Sequence, residues 1–321
     1  MKPHVTRRDF LAASAAAGAS LMAAGRLEAA PFKTTLHKAL IGSPSEATLA
    51  SWKAAGFEGM ESGAWSASPQ QAAEGRKIAE KLGMRIHSVM RGWANFNSPD
   101  AGKVAADIAS VETSLKAAEG YGADTVLLVP CRTGGMPTPQ PWEFDIAFDE
   151  KTGHVSRVVA GDNAPYEKYI EAQNYASDSS RKALEKLIPV AEKTGVVIAL
   201  ENVWNNLWVK PAIFAHFIAS FKSPWVQCYF DIGNHVKYAM PEEWIRTLGK
   251  LIVKCHVKDF KLNPDGHGGS FCNIRDGSID WPLVRKELDA IGYNDWMTIE
   301  GSGGLSLEDR SQRLDLIIAG K

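Results

Sequence analysis

The sequence predicts an α/β fold, a closed (β/α)8 barrel, from three observations. After the first 30 residues, short apolar runs alternate eight times with amphipathic helical patterns. Four runs in the second half bring an acidic or imidazole side chain to, or close to, their C-terminal ends: Val196 to Glu201, Val226 to Asp231, Leu251 to His256 and Met297 to Glu300. A parallel barrel gathers residues from the ends of different strands around one point at its top face. Finally, the stretch 31–321 shows no linker or shift in composition, and ~290 residues suit one eight-unit barrel better than two domains. A doubly wound sheet is disfavoured because no Gly-x-Gly-x-x-Gly follows the first strand.

The expected strands are His37 to Gly42, Gly56 to Glu61, Arg85 to Met90, Thr125 to Cys131, Val196 to Glu201, Val226 to Asp231, Leu251 to Lys258 and Trp296 to Glu300. Helical periodicity fills the intervals: Ser45 to Ala55, Pro69 to Leu82, Gly102 to Tyr121, Ala164 to Thr194, Pro211 to Phe221, Pro241 to Leu248, Trp281 to Ile291 and Leu307 to Ile318. Gly122 and Gly195 are helix stops of the ordinary kind, a glycine just past the last periodic residue. From Arg132 to about Asn163 the chain is rich in Gly, Pro and aromatics, far longer than the usual 2–6 residue connection. A loop after the fourth strand lies on the active face, so it is expected to serve as a lid or an oligomer contact, with a merely decorative insertion as the alternative.

Residues 1–30 are set apart. Thr6-Arg7-Arg8-Asp9-Phe10-Leu11 precedes an Ala-rich apolar stretch ending near Ala24, too short for the ~20 residues of a membrane span. It looks like a twin-arginine export signal, which carries folded protein and implies a periplasmic or other extracytoplasmic location without a membrane anchor. A formal net charge of −1 and the lack of a long basic run in the remainder give no footprint for nucleic acid. Four cysteines are too few for a disulfide framework in a chain of this length. Cys228 and Cys255 stand at odd offsets from Asp231 and His256, so strand alternation turns them toward the helices. A Cys131–Cys272 bridge between loops stays open.

Glu201, Asp231, His256 and Glu300 offer three carboxylates and an imidazole, a donor set for one divalent ion, with Mn, Mg, Co and Zn all compatible. Lys258 shares the inward face of His256 and is expected to stand above it, where an ammonium can bond a substrate oxygen. His87 on the third strand and His235, four residues beyond Asp231, are candidate substrate contacts, with core packing as the competing reading of His87. Of ten tryptophans, Trp65, Trp93, Trp204 and Trp208 follow strand ends. Sugar rings stack on such faces, so Trp93 and Trp204 are expected to contact a carbohydrate, whereas Trp52, Trp244 and Trp281 lie in helical patterns and read as packing. Gly301, Gly303 and Gly304 after Glu300 could let backbone amides approach a phosphate.

Ala199-Leu200-Glu201-Asn202, Phe230-Asp231-Ile232-Gly233-Asn234, Cys255-His256-Val257-Lys258-Asp259, Asp276-Gly277-Ser278-Ile279-Asp280-Trp281 and Thr298-Ile299-Glu300 together carry a resemblance. The sequence resembles the sugar phosphate isomerase/epimerase family, the xylose-isomerase-like TIM barrels that include ketose 3-epimerases and, more distantly, endonuclease IV. The resemblance implies one divalent ion held by the four strand-end residues, with Glu201 and Glu300 also the acid/base pair that moves protons through an enediolate. It implies a small carbohydrate substrate and an expected homodimer. Two positions depart from the ketose 3-epimerase pattern: Leu207 stands where a Glu follows the first ligand, and Leu262 where an Arg follows the His. A different carbonyl sugar, an oxidised glycoside or an inosose-like ring then becomes eligible, with isomerisation, epimerisation and β-elimination sharing the enediolate.

Two rival classes remain. Asp265-Gly266-His267 suggests extra ligands for an endonuclease IV-like metal-dependent phosphodiesterase, although His37 and His87 are few for a multi-metal cluster and the charge is wrong for DNA. A non-catalytic sugar-binding barrel is the other, since fold does not fix function.

Overall fold

The computed structural model describes residues 32–321, and the proposed export signal lies outside them. In chain order the elements of the barrel region are β1 (His37–Gly42), α1 (Glu46–Ala54), β2 (Gly59–Ser62), α2 (Pro69–Lys81), β3 (Arg85–Trp93), α3 (Ala101–Tyr121) and β4 (Thr125–Val129). A hairpin of β5 (Phe144–Phe148) and β6 (Val155–Val159) follows, then α4 (Glu167–Thr194), β7 (Val197–Glu201), α5 (Pro211–Ala219), β8 (Val226–Asp231), α6 (Pro241–Leu248) and β9 (Ile252–Val257). A second hairpin, β10 (Asp259–Leu262) with β11 (Gly269–Cys272), precedes α7 (Trp281–Ala290), β12 (Trp296–Ile299) and α8 (Leu307–Ile318).

Eight parallel strands close a barrel in the order β1, β2, β3, β4, β7, β8, β9, β12. The expected barrel is therefore the observed one. Local chemistry sets its helix starts: Ser68 and Gln71 form a reciprocal capping box with Pro69 in the first turn of α2, and Asp100, Asp280 and Ser306 accept backbone N–H bonds at the starts of α3, α7 and α8. Pro130, which has no N–H to give a ladder, directly follows β4.

Alternation along the strands sorts the side chains into two cores. Outward residues, among them Val226, Cys228, Phe230, Cys255 and Val257, pack against the helices, whereas Leu127, Val129, Ala199 and Tyr229 form a small cluster inside the barrel. Cys228 and Cys255 thus face the helices as predicted. All four cysteines are free thiols, so no Cys131–Cys272 bridge forms, and Cys131 is buried against the Ser180 hydroxyl at 3.1 Å. Lys254, on the inward face of β9, is buried between Asp124 at 2.9 Å and Asp295 at 2.8 Å.

The 132–163 connection carries the β5–β6 hairpin instead of irregular loop alone. Its turn is held by Asp149, whose Oδ1 accepts from the Lys151 and Thr152 amides. Trp142, just before β5, stacks on His267 at the tip of the β10–β11 hairpin with ring centroids 4.3 Å apart, so the two inserted hairpin regions touch. Among the described residues, no helix is long and apolar enough to cross a membrane.

Candidate metal centre

Four strands adjacent in the barrel, β7, β8, β9 and β12, each bring one donor residue to, or directly past, their C-terminal ends. Register aligns them: Asp231 pairs with His256, and His256 with Thr298, two residues before Glu300. His256 Nδ1 lies 3.3 Å from Glu300 Oε2, 3.4 Å from Glu201 Oε1 and 4.0 Å from Asp231 Oδ2. One donor atom from each of the four residues falls within 4.8 Å of all the others. An ion with ligand bonds of about 2.0–2.2 Å spans donors up to roughly 4.4 Å apart, so the set needs only a small contraction to close on one.

Hydrogen bonds around the four residues hold this geometry. Asp231 Oδ1 accepts from the amides of Gly233 at 2.8 Å and Asn234 at 2.7 Å, while its Oδ2 is buried without a hydrogen bond. A buried carboxylate oxygen left without a hydrogen bond is free to ligate a cation. Gly233 is required here because a Cβ would sit 2.6 Å from the Lys258 carbonyl oxygen. Asn202 straps β7 to β8, donating to the Asp231 carbonyl and accepting from its amide. Asn234 donates to Glu201 Oε1 at 3.3 Å and accepts from Lys258 Nζ at 3.1 Å.

Glu61, the last inward residue of an early strand, was not singled out by the sequence. Its Oε2 is 2.6 Å from His256 Nε2, and both side chains are buried. It holds the ring so that Nδ1 faces the other three ligands, the arrangement in which a carboxylate fixes a metal-binding imidazole. The signal is present in the sequence: Glu61 also closes an expected strand, Gly56 to Glu61, with a carboxylate. The roles of Asn202 and Asn234 are not legible in the sequence, because amide partners do not show in a pattern of charges.

Electrostatics point the same way. Burial pushes the Asp231 carboxyl up to about 8 and raises Glu201. Burial also acts to raise Glu300, but His256 and Lys258 outweigh it and hold that carboxyl low. Burial works against charge on His256, yet Glu61 and the neighbouring carboxylates keep its imidazole well above the usual range. For Lys258 the lowering effect of burial is overcome by Asp231 and Glu300, and its Nζ stands 2.8 Å from Glu300 Oε2. A proton on His256 and the Lys258 ammonium neutralise the carboxylates, and a divalent cation would take over that role.

The other expected contacts divide. Lys258 stands beside the ligands as the parity required. His87 is fully buried, stacked on Trp296 at 4.7 Å and 3.0 Å from the Thr298 hydroxyl, so it packs the barrel interior and is not brought to the four ligands. His235 is buried against Trp244 and Tyr238, with Nε2 2.9 Å from the Val203 carbonyl oxygen, and burial pulls its imidazole down to about 3. Trp93 is exposed beneath the Arg132 guanidinium at 4.0 Å. Trp204 donates to the Asn234 carbonyl and carries Lys237 3.3 Å above its ring, with Phe271 stacked at 4.8 Å. Trp208 is core, stacked on Phe217. Leu207 is also buried.

Asp265 and His267 are exposed on the β10–β11 turn. The only group of three or more His, Cys, Asp or Glu side chains placed to hold an ion among the described residues is Glu201, Asp231, His256 and Glu300, which excludes both. Gly301 shares its cleft with the carboxylates of Asp276 and Glu300, a poor setting for phosphate. A surface cleft of about 850 Å³ between the β5–β6 turn and α5 includes none of the four candidate ligands.

Comparison with known proteins places this geometry. A search of curated protein sequences finds no match. Among solved structures, the 3-keto-D-glucoside 4-epimerase of E. coli superposes with a TM-score of 0.65 at 13% identity, covering 88% of this chain and 99% of that one. A D-psicose 3-epimerase with D-tagatose from Clostridium cellulolyticum H10 gives 0.63 at 17% identity, covering 88% and 98%. A xylose isomerase-like barrel protein from Mycobacterium smegmatis in complex with magnesium gives 0.60 at 16%, covering 90% and 96%. At such identities the likeness is one of fold. The model of the xylose isomerase-like TIM barrel family matches residues 49–314, and the chain belongs to that family.

Proposed function

We propose that the protein is a divalent-metal-dependent isomerase or epimerase of a carbonyl-bearing sugar. The observation that carries this is the placement of two glutamates, Glu201 and Glu300, on the outer two of four adjacent strands, with one carboxylate oxygen of each, Asp231 Oδ2 and His256 Nδ1 converging on one point. Glu201, Asp231, His256 and Glu300 would hold the ion, which supplies Lewis-acid polarisation of a carbonyl and its neighbouring hydroxyl. Neighbours with names such as D-psicose 3-epimerase and 3-keto-D-glucoside 4-epimerase support the sugar assignment.

The residues divide the work. Buried Glu201, its carboxyl raised by desolvation, is suited to take the acidified carbon-bound proton and keep it. Glu300, part-open to the cleft and kept as a carboxylate by His256 and Lys258, relays a proton from solvent to the other face or the neighbouring carbon. Lys258, bonded to Asn234 and paired with Glu300, offers its ammonium to the oxygen that gains charge as the enediolate forms. His256, positioned by Glu61, keeps the ligand set in register. The twin-arginine pattern at Arg7-Arg8 supports export of the folded protein, with the active form outside the cytoplasm.

The test is exchange of the carbon-bound hydrogen with deuterated solvent, screened over keto-sugars with added manganese. Exchange is expected in the unaltered protein and lost by at least about 10³-fold in Glu201→Gln and Glu300→Gln. Retained exchange in either variant refutes the two-glutamate assignment.

A further inference from the structure

Helices α3 and α4 pack side by side, and the seam between them changes character along its length. On α3 the apolar positions Ala101, Val104, Ile108, Val111, Leu115 and Ala118 recur at alternating spacings of three and four, which makes one continuous stripe. Val111, Leu115 and Ala118 are fully buried, whereas Val104 and Ile108 are half-buried and Ala101 is exposed. The stripe therefore runs on beyond the part of the seam that covers it.

That uncovered part lines a cleft of about 430 Å³, inside the ~300–1,000 Å³ range of small-molecule sites. Phe96 and Pro99 line it at the start of α3, and α4 supplies the opposite wall with Tyr175, Ser179, Lys182 and Lys186, which also follow helical spacing. Tyr175 is 54% exposed. An apolar stripe thus faces a polar wall, the reverse of what closes a seam between helices.

Charge narrows the occupant. No acidic side chain lines the cleft, and among the described residues neither Lys182 nor Lys186 has an ion pair or a hydrogen bond from its ammonium. The helical rise puts Lys186 roughly 16 Å along α4 from Tyr175, so the cations stand at one end of an elongated, otherwise uncharged groove. A second copy of the chain is a poor match, because a two-fold contact sets one patch against itself and the only charges lining this one are positive. None of the four metal-centre residues lines the cleft, which separates it from the proton-transfer chemistry.

We propose that the α3–α4 cleft binds an amphiphilic carboxylate, its alkyl chain along Val104 and Ile108 and its acid group between Lys182 and Lys186. Apolar burial supplies the affinity, and the two ammonium groups fix the direction in which the chain lies.

The test is calorimetry on the full-length protein with decanoate, butyrate and 1-decanol, each below its aggregation limit. Decanoate is expected to bind once per chain and more tightly than butyrate by at least about tenfold, the gain from burying only two of its six additional methylene groups. Reversing both charges, Lys182→Glu with Lys186→Glu, should weaken decanoate by at least about tenfold and leave 1-decanol unchanged. Ala105→Trp, which fills the groove from an exposed position on α3, should abolish binding of both with the fold intact by circular dichroism. Decanoate binding no tighter than butyrate, or binding that survives Ala105→Trp, overturns the assignment. So does a decanoate affinity indifferent to the charge reversal, which would make the lysine stems a cover for the stripe. A concentration-dependent dimer in light scattering that Ala105→Trp abolishes, without decanoate binding, also overturns it and gives the groove to a second copy.

Discussion

Glu61 Oε2 lies 2.6 Å from His256 Nε2, with both residues buried and 195 positions apart in the chain. The carboxylate accepts a hydrogen bond from Nε2–H, which leaves Nδ1 as the ring nitrogen facing Glu201, Asp231 and Glu300. Replacing Glu61 by Gln removes the charge but keeps the shape. Affinity for manganese, read by competition with a chromogenic chelator, should fall about 10- to 100-fold with the fold intact by circular dichroism. Unchanged affinity would make Glu61 a packing residue.

Lys258 should separate binding from chemistry. Its ammonium is a like charge beside the cation position, so Lys258→Met is expected to leave metal content at the unaltered level while kcat falls about 10²- to 10³-fold. Loss of metal with loss of rate would instead make Lys258 a structural partner of the carboxylates.

Gly233 is the tightest backbone approach at the site, and Gly233→Ala forces a Cβ to within 2.6 Å of the Lys258 carbonyl oxygen. The turn that presents two amides to Asp231 must move. Thermal melts should show a loss of about 1–3 kcal/mol, together with weaker manganese binding. A variant with parental Tm and affinity would contradict the described turn.

Acid and base should act on the metal-free protein in an unusual direction. Asp231, raised to about 8, binds a proton in the folded state across the window above its ordinary value near 3.8, and Glu201 and His256 are raised as well. The folded state therefore holds more protons than the unfolded one, and stability is lost as pH rises toward 8. The Tm of chelator-stripped protein should fall by several degrees between pH 5.5 and 8.5, and manganese should reverse the trend because it replaces those protons. A Tm that rises with pH in the stripped protein would show that the carboxylates are neutralised otherwise.

How legible was this in the sequence? His37–Gly42, Val226–Asp231, Pro241–Leu248 and Leu307–Ile318 match the expected bounds, because apolar periodicity and caps agree there. The expected strand from Gly56 begins only at Gly59, and the one from Arg85 continues to Trp93 through an irregular register beyond Met90. Both hairpins were missed, β5–β6 because Gly and Pro around Phe144–Phe148 hid a short alternation, and β10–β11 because its strands are four residues each. The four candidate ligands could be read because each stands at or near the end of an apolar run. His87, His235 and Trp93 could not be placed, since an aromatic or imidazole near a strand end faces the core as readily as the mouth, and only packing against Trp296, Trp244 and Arg132 decides it.

The most direct test of the account is metal content per chain, by mass spectrometry on protein purified without chelator or affinity metal. One equivalent of a divalent ion is predicted, absent from His256→Ala and Asp231→Ala proteins that still fold. No bound ion, an ion retained by both variants, or two or more equivalents would contradict a single centre built from Glu201, Asp231, His256 and Glu300.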